Sequence, residues 1–174
     1  MALEIERKWL IDFPLSKDQW VKLIGLISRI IIIKQTYISP KNKDGKNLRI
    51  RKSIVCDNKL KPESTEYIVD HKLYISKLSK KEVVNKISEQ EYYDLMTSKC
   101  QDHGVINKIR FEFKYEDQLF ELDYFLNKEL SGLVILELEL DSEEQKVNLP
   151  EFLTIKKEVT KEAEFSNFEL GKTI

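Results

Sequence analysis

The chain contains little cysteine, glycine or histidine, and these shortages exclude several classes of protein. Its 174 residues include two cysteines, five glycines and two histidines. Two cysteines make neither a disulfide framework nor a zinc finger, and so few glycines effectively exclude a P-loop nucleotide enzyme. The longest apolar run, residues 30–33, is far shorter than the ~20 residues that a membrane span requires.

The chain also lacks net charge, although charged residues are abundant. Its 29 basic and 30 acidic residues leave a net charge of -1, and 34% of the chain is charged, against about 25% in an average domain. This balance argues against nucleic-acid or acidic-membrane binding. The N-terminal residues 1–8 are charged where a signal peptide would be apolar. We therefore expect a cytoplasmic protein without membrane or nucleic-acid partners.

Hydrophobic periodicity predicts about eight strands in a single domain spanning residues 1–174. The predicted strands cover residues 3–11, 29–39, 48–55, 67–73, 80–87, 105–115, 118–126 and 133–141. Many strands with few helices favour a closed antiparallel barrel or a strongly curved sheet.

Helices and turns are predicted between these strands. Capping boxes predict helices over 16–26 and 88–100, because each starts with Ser followed three residues later by Gln or Glu. A hairpin turn is expected at 115–118 and another turn at 41–46. Ser142 is expected to start a short helix that Pro150 ends, and the tail from residue 154 to be partly helical.

On several predicted strands every second residue is ionised. These positions are Glu4, Glu6 and Lys8; Arg49 and Arg51; Lys108, Arg110 and Glu112; Glu121 and Asp123; and Glu137, Glu139 and Asp141. A solvated outer face explains any single strand, but like charges two positions apart repel each other and natural surfaces usually mix signs. Only five of the 29 basic residues are arginine, and three of those five lie in the cationic pairs.

This pattern suits the recognition of a polyanion together with a metal ion. Carboxylates two positions apart on a strand lie about 7 Å apart and point the same way. Oxygen ligands of this kind are preferred by Mg²⁺ and Mn²⁺. Arginine and lysine would neutralise phosphate oxygens, so the pattern favours phosphoryl transfer.

The residues Glu4-Ile5-Glu6-Arg7-Lys8 resemble the E-x-E-x-K signature of the CYTH domain, or triphosphate tunnel metalloenzymes. This family includes inorganic triphosphatases, thiamine triphosphatases and class IV adenylate cyclases. The resemblance continues in order along nearly the whole chain. It covers a second strand at 35–38, an R-x-R strand at 48–51, a tunnel lysine at Lys72, a K-x-R strand at 108–110, an acidic strand at 120–123 and an E-x-E strand at 137–139.

The resemblance implies a mainly β (α+β) fold, with an eight-stranded antiparallel barrel closed into a tunnel and a few flanking helices. It assigns Mg²⁺ or Mn²⁺ to Glu4, Glu6, Glu121, Asp123, Glu137 and Glu139. It assigns the triphosphate to Lys8, Arg49, Arg51, Lys72, Lys80, Lys108 and Arg110. It also implies catalytic roles for Glu4, Glu6, Lys8 and Glu82.

Two departures from the family pattern leave alternatives open. The family's R-x-E-x-E strand is matched by Lys80, Glu82 and Val84, and Ala163 stands where a cation often follows the V-T element. We expect a divalent-metal-dependent hydrolase of triphosphate compounds, with inorganic tripolyphosphate favoured. The alternatives are a class IV adenylate cyclase, a thiamine triphosphatase, or a degenerate module that binds triphosphate or polyphosphate without hydrolysis. A homodimer is possible by resemblance.

Overall fold

Most strands and helices begin and end close to where the sequence pattern predicts, but one strand starts at Pro62, five residues before the predicted start, and the strand Ile155–Glu158 is not among those predicted. The computed structural model describes residues 2–38, 48–74 and 79–174, with the backbone alone at 2–4, 72–74 and 79–82. The strands are β1 (Ala2–Ile11), β2 (Ile27–Ile38), β3 (Leu48–Cys56), β4 (Pro62–Tyr74), β5 (Ser79–Lys86), β6 (Ile106–Tyr115), β7 (Gln118–Phe125), β8 (Val134–Leu140) and β9 (Ile155–Glu158). The helices are α1 (Lys17–Leu26), α2 (Glu89–Met96) and α3 (Asn167–Gly171), with 3-10 turns at Lys128–Leu130 and Ala163–Phe165. The turn predicted at 41–46 lies outside the described residues.

All nine strands belong to one antiparallel sheet in the order β5-β4-β3-β2-β6-β7-β8-β1-β9. Strand β1 pairs with β8 along most of its length and with β9 near its C-terminal end. Its first residues, Ala2 to Ile5, also pair with β5. The prediction of a mainly β antiparallel fold is confirmed. The predicted count of eight strands is wrong because β9 adds a ninth, and closure into a barrel is not confirmed and stays a prediction.

Both capping boxes form and start the first two helices. The Gln19 backbone N–H donates to Ser16 Oγ over 3.2 Å, and the Ser16 N–H donates to Gln19 Oε1 over 2.7 Å. Ser88 and Glu91 make the same exchange at α2. Helices α1 and α2 are therefore confirmed, although α2 ends at Met96, four residues before the predicted end at residue 100.

The helix predicted from Ser142 is wrong, because residues 141–144 form bends and a turn and residues 145–150 have no regular secondary structure. The Asp141 N–H donates to Gln145 Oε1 over 2.7 Å, and this side-chain hydrogen bond closes the loop locally. The Gln118 amide holds the same loop, donating to the Lys146 carbonyl and accepting from the Asn148 N–H.

The main hydrophobic core lies on one face of the sheet. Alternate residues of β1, β6, β7 and β8 are buried there, among them Trp9, Phe113, Leu122 and Leu136. Helix α1 covers this face through Leu23, which is fully buried in the same core. Burial of apolar area stabilises the fold, and because strand residues alternate, it leaves the opposite face to the charged residues. Within the described residues, no helix is long and apolar enough to cross a membrane.

Candidate active site

The register of strand pairing places the predicted charged residues on one face of the sheet. Residues directly opposite each other in antiparallel strands share a face. Glu6 lies opposite Glu139 and Lys8 opposite Glu137. Glu137 also lies opposite Glu121 on β7. The carboxylates that the sequence assigns to metal are therefore neighbours across three strands.

The cations continue along the same face on the other side of β7. Arg110 lies opposite Asp123. Further along the sheet, Arg51 lies opposite Gln35 and Arg49 opposite Asp70. The acidic positions thus concentrate on β1, β7 and β8, and the arginines on β3 and β6.

Four predicted site residues are described by their backbone alone. The register places Glu4 opposite Lys80 on β5, and Lys72 opposite Glu82 between β4 and β5. Glu4 is two residues from Glu6, so position 4 belongs to the same face of the sheet as Glu6, because strand positions alternate between the two faces. Their predicted roles stay predictions.

Arg110 links three carboxylates at the centre of the site. Its Nε lies 2.7 Å from Asp123 Oδ1 and its Nη2 2.7 Å from Asp123 Oδ2. The same Nη2 lies 2.7 Å from Glu137 Oε2, and Nη1 contacts Glu121. Burial lowers the pKa of Arg110, but the carboxylates of Asp123, Glu121 and Glu137 outweigh it and raise that pKa. The guanidinium therefore stays charged and fixes the position of all three acids.

Lys108 is the most deeply buried cation of the site, with no exposed surface. Its Nζ contacts the Asp123 carboxylate and lies 3.5 Å from Asn167 Oδ1 on α3. Burial, together with the charges of Arg110 and Arg51, lowers the pKa of Lys108 to about 8 although Asp123 raises it. Burial raises the pKa of Asp123, but Arg110 and Lys108 outweigh this and hold it below its usual range.

Lys8 lies between two of the predicted metal ligands. Its Nζ is 2.8 Å from Glu6 Oε1 and 2.6 Å from Glu137 Oε1. Burial lowers the pKa of Lys8, but the two carboxylates outweigh it and raise that pKa above its usual value. Lys8 is therefore charged throughout the physiological range.

The backbone of Lys8 is fixed from outside by the segment after β9. The Lys8 N–H donates to Thr160 Oγ1 over 3.0 Å, and the Val159 N–H donates to the Lys8 carbonyl over 2.8 Å. This is the V-T element that the resemblance singled out. Arg7 also joins this segment, through two hydrogen bonds to Glu158 of 2.9 and 2.6 Å.

The two arginines of β3 are held differently from each other. Arg49 forms a buried two-point ion pair with Asp70, with Nε–Oδ1 and Nη2–Oδ2 distances of 2.9 and 2.7 Å. Arg51 Nε donates to Gln35 Oε1 over 3.2 Å. A phosphate that binds Arg49 would therefore share it with Asp70.

A cavity of about 380 Å³ borders the charged face and has two of the predicted metal ligands in its wall. Its lining residues are Leu119, Glu121, Glu139, Leu140 and Asp141. Burial raises the pKa of Glu121, while Arg110 opposes that rise. The cavity gives solvent ions a route to the acidic end of the charged face.

Sequence reasoning gave no site role to three polar residues of this face, although Glu112 belongs to the predicted charged pattern. Asp70 pairs with Arg49, and Glu112 lies 3.5 Å from Arg29 and opposite Glu121. Gln35, quoted only as part of a strand, supports Arg51. The alternation of residues between the two faces of β4 could have predicted that Asp70 lies on the charged face, since Asp70 stands two residues before Lys72 on that strand.

The two departures from the family pattern lie at accessible places. Val84 is opposite Asp70 on the charged face and is 47% exposed. Ala163 is exposed at the start of a 3-10 turn. Neither substitution leaves a buried gap in the charged network.

The predicted resemblance to the triphosphate tunnel metalloenzymes is confirmed by solved structures. The chain is similar to the inorganic triphosphatase NE1496, with 26% identity and a TM-score of 0.60 over 100% of this chain and 97% of that one. No protein-family model and no curated protein sequence matches the chain.

Two more distant structures share the fold. One is the putative adenylyl cyclase HpAC1 from Hippeastrum, described as having a dominant triphosphatase activity, with 15% identity, a TM-score of 0.52 and 80% of each chain covered. The other is PH1012 from Pyrococcus horikoshii OT3, with 21% identity, a TM-score of 0.52 and 80% of this chain and 79% of that one covered. At these identities the likeness shows the fold alone.

Proposed function

We propose that the chain is a divalent-metal-dependent hydrolase of triphosphate compounds and that inorganic tripolyphosphate is its favoured substrate. The observation that carries the proposal is the single charged face, where carboxylates of β1, β7 and β8 adjoin the cations of β3 and β6. Similarity to the inorganic triphosphatase NE1496 along the whole chain supports the same reaction class.

The acidic end of the face fits a hard divalent cation. Glu6 and Glu139 lie opposite each other, and Glu121 borders the same cavity as Glu139. Their carboxylate oxygens are ligands that suit Mg²⁺ or Mn²⁺, with Glu4, Asp123 and Glu137 as further candidates. When bound, the ion would polarise a phosphate oxygen and provide an activated water.

The cations would bind the phosphate chain in place of their present carboxylate partners. Arg110 now bonds to three acids, and Lys8 to two. A polyphosphate that took over these donors would release Glu6 and Glu137 toward a metal. Exchange of this kind keeps every buried charge compensated, which buried charges require.

We also propose that the sheet closes around this face as a tunnel. Pairing of Ala2–Ile5 with β5 supports this, because β1 already pairs with β8 at the other side of the sheet. Within a closed sheet, water would have access through the ends alone, and electrostatic interactions with phosphate would be stronger. A cytoplasmic location and a homodimer stay predictions.

A substrate panel tests the proposed reaction. Tripolyphosphate, thiamine triphosphate, ATP and long-chain polyphosphate are each incubated with Mg²⁺, Mn²⁺ or EDTA, and the products are identified. We expect orthophosphate from tripolyphosphate with either metal and none with EDTA. Cyclic AMP from ATP as the main product would instead identify an adenylate cyclase, and faster turnover of thiamine triphosphate a thiamine triphosphatase.

The second candidate is a module that binds triphosphate without hydrolysis. Val84 favours it, because a valine stands on the charged face where the family has a glutamate. Tight tripolyphosphate binding with no phosphate release in any divalent metal would support this candidate and contradict the hydrolase.

A further inference from the structure

The side-chain amide of Gln35 is buried on the charged face, and its nitrogen has no hydrogen-bond partner within the described part of the chain. Gln35 has no exposed surface. Its Oε1 accepts from Arg51 Nε over 3.2 Å, but its Nε2 has no partner among the described residues. Because Arg51 can only donate, the amide oxygen must face it, and this fixes the direction of Nε2.

A buried N–H without a partner opposes folding, so a native structure that keeps one calls for an explanation. One other buried side-chain atom in the described chain lacks a partner, His103 Nε2. His103 Nδ1 lies 2.9 Å from the Asp102 carboxylate, so an acidic side chain already occupies the neighbourhood of that ring. The Gln35 amide nitrogen is always a donor, and a donor suits an anion.

Two cations assigned to phosphate lie next to Gln35 on the adjacent strands. Gln35 lies opposite Arg51 on β3 and opposite Ile106 on β6, and Lys108, two residues from Ile106 and opposite Ile33, is its diagonal neighbour. The charge of Arg51 contributes to the lowered pKa of Lys108, so the two cations lie within electrostatic range of each other. A third cation at position 35 would add repulsion, whereas a neutral amide adds a donor without charge.

We infer that Gln35 Nε2 donates a hydrogen bond to a phosphate oxygen of the bound triphosphate, between Arg51 and Lys108. This inference rests on the proposed function, since it assigns a substrate-binding residue to the same site. The amide then has two roles. Its oxygen positions Arg51, and its nitrogen recognises the substrate.

The test compares Gln35→Glu and Gln35→Met with the wild-type chain. Gln35→Glu keeps an oxygen for Arg51 but replaces the donor with a second oxygen that repels phosphate. Gln35→Met removes the unpartnered donor, and with it the oxygen that accepts from Arg51, without adding charge. Titration calorimetry gives Kd for tripolyphosphate in EDTA, and phosphate release with Mg²⁺ gives KM and kcat. Gln19→Glu is the control, because it adds the same charge at a capping box where glutamate serves equally well.

We expect Gln35→Glu to raise Kd and KM by about tenfold or more, since a hydrogen bond to a charged group is lost. Gln35→Met should change both in the same direction, because it also removes the donor. Gln19→Glu should stay within about twofold of wild type. A merely structural role for Gln35 would lower stability and leave Kd unchanged in the folded fraction.

Wild-type Kd and KM in both Gln35 variants would overturn the inference while leaving the hydrolase intact. A wild-type chain that binds tripolyphosphate without hydrolysing it would overturn the hydrolase alone, because Kd still tests Gln35. A wild-type chain that binds no tripolyphosphate would overturn both.

Discussion

At the scale of single residues, the number of carboxylate partners distinguishes two buried lysines of the site. Lys8 has two carboxylate partners and keeps its charge at any physiological pH. Lys108 shares its one carboxylate, Asp123, with Arg110, and its pKa lies at about 8. Of these two lysines, Lys108 is therefore the one whose charge changes within the pH range of ordinary buffers.

This difference predicts that tripolyphosphate binding weakens above pH 8. A group with a lowered pKa of about 8 is protonated below that pH and neutral above it, so the phosphate loses one positive partner as the pH rises. We expect Kd in EDTA to rise by about tenfold between pH 7 and pH 9.5, the usual range for one charged hydrogen bond.

The matched variant for this prediction is Lys108→Arg, because arginine stays charged over the whole range. Comparison of the two proteins also removes the effect of the ligand's own ionisation, because that ionisation changes Kd equally for both. Parallel pH profiles for wild type and Lys108→Arg would contradict the account of Lys108.

Local spacing could predict some of the residue contacts and not others. The turn predicted at 115–118 forms with positive φ at Glu116 and Asp117, as a two-residue hairpin requires. Counting back from that turn places Arg110 opposite Asp123. The pairing of Lys8 with Glu137 joins strands 129 residues apart, so no local rule could give it.

At the scale of the element, β9 explains how a short outer segment can influence the site. It pairs with the C-terminal part of β1, and Val159 and Thr160 beyond it bond to both backbone groups of Lys8. Thr160 Oγ1 also donates to Glu158 Oε1 over 2.7 Å. Loss of this hydroxyl would release the Lys8 N–H at the end of the E-x-E-x-K signature.

We predict that Thr160→Val destabilises the fold by about 1 kcal/mol, the usual net value of one hydrogen bond. It should also lower kcat for tripolyphosphate, because Lys8 loses a backbone restraint. Urea unfolding and phosphate release measure the two effects. Thr160→Ser keeps the hydroxyl and should restore both, and equal losses in the serine and valine variants would exclude the hydrogen bond as the cause.

The sequence predicts long alternating strands well and short edge elements poorly. Strands β1, β6, β7 and β8 follow from strict alternation because one face of each is apolar core. Strand β9 has four residues, three of them charged and exposed, so nothing in its composition separates it from a loop. The predicted helix at Ser142 failed because side-chain hydrogen bonds from Gln118 and Gln145 hold that loop.

At the scale of the whole molecule, the near-zero net charge reflects two groups of opposite charge that lie on one face. The acids of β1, β7 and β8 partner the cations of β1 and β6 through Arg110, Lys8 and Lys108. The resemblance could predict that these residues meet. It could not predict that Arg110, Lys8 and Lys108 are already paired with carboxylates, because that depends on the register of the whole sheet.

The most direct test of metal-dependent hydrolysis is phosphate release from tripolyphosphate by Glu6→Gln as Mg²⁺ is varied. Glu6 lies opposite Glu139, and its Oε1 lies 2.8 Å from Lys8 Nζ. Glutamine keeps the shape of the glutamate side chain and removes its charge. Glu151→Gln, at an exposed position, is the matched control.

We predict saturable Mg²⁺-dependent turnover in the wild type and in Glu151→Gln, and a loss of at least about a hundredfold in Glu6→Gln, the scale of removing one electrostatic group from a catalytic site. Turnover by a folded Glu6→Gln equal to that of the wild type, or wild-type turnover that persists in EDTA, would contradict the account.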